Sequence, residues 1–243
     1  MTRRAATAPR LGGGREQGLA IVAVLLWLSL LGVLALGAAL ATSAEAPATG
    51  AVHDRLRLVR AAESAVSLAV AALARDVSWA AVPEVGTSAG VVDGPAGVRT
   101  IGGRTIDLVA ETWWRTCGRR SGCDDVAVAT SEARRPWGAA NPRWRLVVHT
   151  PLAAIDEQAG AVCPCYVAAW VADDPGDADG DPAHDAPLGV PGHGVLLVRG
   201  AAWAAATAVA EVEALVAQPC RKTSPACAGS VVQSWGIIGP TVP

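Results

Sequence analysis

Residues 19–44 read LAIVAVLLWLSLLGVLALGAALATSA, 26 positions without one charged side chain. A helix rises 1.5 Å per residue, so about 20 apolar residues cross the hydrocarbon core of a bilayer. The run therefore predicts a single membrane span. Four arginines (Arg3, Arg4, Arg10 and Arg15) and one acid, Glu16, precede it. Basic residues stay on the cytoplasmic side. The sequence thus predicts a cytoplasmic N-terminus and export of the chain after Glu45. A cleaved secretory signal is an alternative, with Thr42, Ser43 and Ala44 as its small-residue cutting site, although its apolar core is normally about 7–15 residues. A plain anchor bearing an exported domain is another.

The chain stays helical in character beyond the span. Val52, Leu56, Val59, Ala62, Val66, Ala69, Val70, Leu73 and Val77 recur mostly in steps of three and four. That spacing traces one face of a helix. Arg55, Arg57, Arg60, Glu63, Ser64 and Ser67 take the other face. Pro47 and Gly50 mark a joint, and Pro83 forbids continuation. The apolar and amphipathic parts together would cover about 60 residues, near 90 Å at 1.5 Å each. The chain parses into a leader (1–18), a membrane helix (19–44), an amphipathic helix (45–82) and an exported head (83–243).

In the head, strands are expected at Arg104–Thr112, Trp144–Thr150, Cys165–Ala172, Gly194–Arg199 and Ala206–Val216, the last also compatible with a helix. Consecutive strands joined by turns predict an antiparallel sheet. Packed on the amphipathic helix, they give an α+β fold. The tryptophans at 113, 114, 137, 144, 170, 203 and 235 are expected to supply much of the core bulk in a chain with no Phe, an exposed patch for a partner being the alternative for some of them.

Arg15-Glu16-Gln17-Gly18-Leu19-Ala20-Ile21-Val22 resembles the N-terminus of type IV pilin-like proteins. The closest likeness is to PilX-type minor pilins and the related K-type pseudopilins of type II secretion. Two further stretches add to it: Arg60-Ala61-Ala62-Glu63-Ser64-Ala65, and Tyr166 to Pro175 followed by Asp179-Gly180-Asp181-Pro182. The resemblance implies a pilin-like fold, held by a single span in the inner membrane, with its head in the periplasm or outside the cell in a filament. It implies cleavage after Gly18 by a prepilin peptidase and methylation of Leu19. It also implies other pilin-like subunits as partners. Major pilins usually carry a glutamate at the fifth mature position, where this chain has Ala23. That departure points to a priming or tip role in a pilus or secretion pseudopilus. The alternative function is a membrane-anchored, exported calcium-binding domain with no filament.

Six cysteines on the exported side predict a disulfide framework. Cys117–Cys123 and Cys220–Cys227 are the expected pairs, each closing a short turn-rich loop. Cys163 and Cys165, read as alternate residues beside a strand, are expected to face apart. The acidic stretch 173–185 holds the candidate metal site, with Asp177, Asp179, Asp181 and Asp185 as Ca2+ ligands around glycine. A solvated acidic loop is the competing reading. His184 and His193 offer zinc ligands, and Cys163-Pro164-Cys165 a redox pair, although redox catalysts use Cys-x-x-Cys. A net charge of −2 gives no case for nucleic acid. No phosphate loop, nucleophile elbow, HExxH or dinucleotide fingerprint occurs, so no enzyme activity is expected.

Overall fold

The computed structural model describes residues 16–75, 91–176, 195–205, 209–217 and 231–238. The chain divides into two units, residues 1–53 and 54–243. Helix α1 covers Glu16–Leu73 and passes through Pro47 and Gly50, where the sequence predicts a joint. A proline removes one main-chain hydrogen bond, and here it does not end the helix.

In the first unit Leu19–Ala39 is apolar and wholly exposed, long enough to cross a membrane. Leu25, Leu26, Trp27 and Leu28 are among its bare side chains. This is what a helix solvated by lipid or by other helices requires, and it fits single-pass anchoring.

The second unit is α+β. Its sheet has the strands β3 (Arg145–Pro151), β4 (Tyr166–Asp173), β5 (Val195–Trp203), β6 (Val209–Ala217) and β7 (Val231–Ile238), side by side in that order. Every neighbouring pair is antiparallel. The C-terminal part of α1 covers one face. Ala62, Ala65, Val66, Ala69 and Leu73 are fully buried there with Val148, Val167, Val171, Val198 and Val212. Alanine at these positions lets the helix axis approach closely. The extreme is Gly200, where an added Cβ would stand 2.4 Å from the Ala62 carbonyl oxygen and 2.7 Å from Val66 Cγ2. The solvent side of α1 carries the exposed Arg60, paired with Glu63 at 2.9 Å, and Ser67, whose hydroxyl donates to the Glu63 carbonyl.

The opposite face holds a second core around Trp170 and Trp203, whose rings meet edge to face at 6.0 Å between centroids. Every residue of β4 is buried because both faces of this strand are covered. A hairpin, β1 (Val98–Ile101) and β2 (Arg104–Asp107), and helix α2 (Leu108–Cys117) lie over this side. The hairpin turns through Gly102 and Gly103 at φ +54° and +84°, a geometry that suits glycine.

Helix α2 corrects the expected strand Arg104–Thr112. The strand stops at Asp107, whose carboxylate accepts from the amides of Val109 and Ala110 at 2.9 and 3.1 Å. That is an N-cap, and it starts a helix where alternation suggested a strand. The expected β3, β4, β5 and β6 are present, with β5 extending to Trp203 and β6 resolved as strand. β1, β7, α2, α3 (Asp125–Glu132) and α4 (Glu157–Val162) were not expected.

Cys117 bonds Cys123, linking the end of α2 to the turn before α3, as expected. Cys163 bonds Cys165, against the expectation that they face apart. The reason is that neither belongs to the strand: α4 ends at Val162 and β4 begins at Tyr166. Pro164 lies in the bend between, so strand alternation does not apply. Cys220 and Cys227 lie outside the described residues.

Candidate functional site

The residues singled out in the sequence separate into three places. Gly18 and Leu19 stand in the first turns of α1, and Leu19 is exposed at 78%. Asp177, Asp179, Asp181 and Asp185 lie outside the described residues, as do His184 and His193. The described start of the acidic stretch is split. Asp173 is the buried last residue of β4, whereas the Asp174 carboxylate accepts from the Gly176 amide at 3.0 Å. Among the described residues no three His, Cys, Asp or Glu side chains gather as a metal site.

The outer face of the sheet carries an arrangement that the sequence reading missed. One row across the strands runs Leu146, Trp170, Arg199, Glu213, Gly236. Arg199 pairs with Glu213 directly opposite it and lies 4.6 Å above the Trp144 ring. Arg115, projecting from α2, is 5% exposed. Its guanidinium stacks 3.9 Å from the Trp170 ring, donates to Glu111 at 2.8 Å and pairs with Glu211. Trp170 Nε1 donates to Thr112 Oγ1 at 2.8 Å, tying the same ring to α2. Glu111 also holds Arg120. A buried cation survives here because two carboxylates and an aromatic face replace its water.

Beside this network is a cavity of about 730 Å3, lined among others by Arg115, Arg135, Trp137, Asn141, Trp144, Asp174, Glu211 and Glu213. Such a volume is that of small-molecule sites. Arg135 donates to the Arg115 carbonyl at 2.9 Å. Burial, and then the Arg199 charge, push the Arg135 guanidinium below its ordinary range. Asn141 is 3% exposed, and its Oδ1 is buried without a hydrogen-bond partner. A sequence signal existed: Arg199, Glu211 and Glu213 interrupt otherwise apolar strands with one parity in the sheet register. Charges on the same face of neighbouring buried strands announce a polar site.

A third cluster closes the edge of the sheet. The Asp93 carboxylate accepts from Arg99 Nη2 at 2.8 Å and from the Tyr166 hydroxyl at 2.9 Å, and lies 2.9 Å from His149 Nδ1. Burial raises the Asp93 carboxyl, but the hydrogen bonds from Arg99, Tyr166 and His149, with the Arg99 charge, bring it down to about 2. Burial and the neighbouring Asp93 push the Tyr166 phenol up. His149 and Tyr166 are nearly fully buried. The cluster therefore works as a pin: it fixes the segment that bonds β3 through His149 N to Val91 O and Asp93 N to His149 O.

Comparison with family models, with curated proteins and with solved structures gives no match for this chain.

Proposed function

We propose that this chain is a minor pilin or pseudopilin that primes or tips a type IV pilus or a type II secretion pseudopilus. The supporting observation is that α1 carries two kinds of surface. Leu19–Ala39 is bare and apolar, while Ala62, Ala65, Val66 and Ala69 seat the same helix on an antiparallel sheet. The apolar segment serves first as an anchor in the inner membrane, with the N-terminus in the cytoplasm. It then exchanges lipid for the matching helices of other pilin-like subunits. The exchange costs little, because lipid tails and apolar side chains solvate a helix about equally well. Ala23 leaves out the intramembrane carboxylate that would find a partner in an adjacent subunit. That omission favours a first or terminal position over the shaft. The chain performs no reaction and is itself a substrate, cut after Gly18 by a prepilin peptidase.

N-terminal sequencing of the mature protein tests this. The expected start is a methylated Leu19, and Gly18→Ala blocks processing. An intact Met1, or a start after Ala44, overturns the proposal.

A further inference from the structure

The two edges of the five-stranded sheet are finished differently. Beside β3 the chain at Val92 forms a parallel bridge to His149, held by two main-chain hydrogen bonds. The Asp93 carboxylate fastens that short strap to Arg99 and Tyr166. β7 ends the other side, and among the described residues nothing pairs with its outer edge. A bare edge is a row of main-chain donors and acceptors that templates another strand.

Natural sheets discourage such pairing with charge or proline on the edge strand. β7 reads VVQSWGII and has neither. Its bulge at Gln233 disturbs only the first half, so Ser234 to Ile238 stay in register with Leu215 to Glu211. Ile237 pairs with Val212, on the face that takes α1, yet it is 60% exposed. On the opposite face Gly236 brings no side chain, and an added Cβ there meets nothing within 4 Å. The outer-face cavity reaches the edge at that glycine. An incoming strand therefore finds apolar surface on one face and open space on the other.

These features define the occupant. It is an extended strand, because only a strand answers main-chain groups at this spacing. It is uncharged, because the nearby Arg115 and Arg199 are already matched by Glu111, Glu211 and Glu213 and leave no counter-ion for another charge. It is apolar at odd and even positions, since neither face of the edge offers it a polar partner. β7 itself fits this description, with Val232, Trp235, Ile237 and Ile238 at both parities. We propose that β7 pairs antiparallel with β7 of a second copy of this chain, joining their two five-stranded sheets into one. Such a pair is self-complementary, and the strapped β3 edge of each copy stops growth at the dimer. The pairing stands independently of whether the chain enters a filament.

Sedimentation equilibrium of the full chain tests it, in density-matched zwitterionic micelles. The wild type is expected to be dimeric by about 100 µM, with no larger species. Ile237→Lys puts a charge on the edge and should weaken the dimer at least about tenfold, or about 1.4 kcal/mol. Ile237 is exposed, so this variant should keep the wild-type melting temperature. Val126→Lys, on the bare side of α3, should leave the dimer unchanged. A wild type that stays monomeric overturns the proposal. So does a full-strength dimer of folded Ile237→Lys, which would place the contact in the apolar helix, or equal weakening by Val126→Lys. A monomer that instead takes up the peptide Thr-Val-Thr-Val-Thr-Val-Thr saturably overturns it in favour of a foreign strand.

Discussion

Replacing Gly200 by alanine tests the packing of helix on sheet most directly. The added Cβ would lie 2.4 Å from the Ala62 carbonyl oxygen, 2.7 Å from Val66 Cγ2 and 3.3 Å from Val66 N. Ordinary contact begins about 1 Å further out than the first of these. Val66 can turn its methyl away, but the Ala62 carbonyl belongs to the helix backbone and cannot. The helix must therefore rise from the sheet. A gap of 0.5–1 Å forfeits about a quarter to a half of each contact's attraction. Ala62, Ala65, Val66 and Ala69, all fully buried, share that loss. Overpacking of this kind costs about 1–3 kcal/mol. For a domain of this size each kcal/mol lowers the melting temperature by about 2–4 °C. A thermal melt of the full chain, followed by near-ultraviolet circular dichroism, should show a fall of about 5–10 °C. Gly236→Ala is the control, since an added Cβ there meets nothing within 4 Å. Equal melting temperatures for Gly200→Ala and wild type would refute the reasoning, as would an equal loss in both variants.

Further outcomes can be checked separately. Asp93 holds its proton less tightly in the folded chain, at about 2 against 3.8 unfolded. Its stabilising contribution is complete above about pH 4 and vanishes as pH falls through 2; melting temperatures at pH 6 and 2.5 should therefore differ less in Asp93→Asn than in wild type. Arg115→Met leaves Glu211 buried without its cation and should cost about 3–5 kcal/mol in urea unfolding. Adding Glu211→Gln should return part of that loss, and a double variant no better than the single would contradict the pairing. If Asp177, Asp179, Asp181 and Asp185 hold calcium, the ion should raise the melting temperature of the wild type and not of a variant with all four changed to asparagine. A wild type indifferent to calcium would remove the site.

Several elements were legible because they depend on one strong local pattern. The uncharged run from Leu19 needs no tertiary partner to be recognised, and neither does the spacing of Ala62, Val66, Ala69 and Leu73. β4 was equally plain, since burial on both faces selects a continuous apolar stretch. β1 was hidden because a four-residue strand carries little periodicity, and α2 because its start lies inside an alternating stretch. There a single cap, Asp107, overrode the alternation of Ile106, Leu108 and Ala110. Cys163 and Cys165 were misjudged for the related reason that β4 begins at Tyr166, one residue after Cys165, so both cysteines lie outside the strand.

The sequence alone determined a helix suited to lipid and a head rich in strands, and it favoured Cys117–Cys123 among the possible pairings, a pair the structure holds. These follow from composition and short-range spacing, which act within a few turns of chain. Only the tertiary structure decided which face of the sheet takes α1 and which gathers Arg115, Arg199, Glu211 and Glu213. It also brought Asp93 to His149 and Tyr166, from 56 and 73 positions away. Such neighbours are chosen by strand order and register, and no local pattern encodes them.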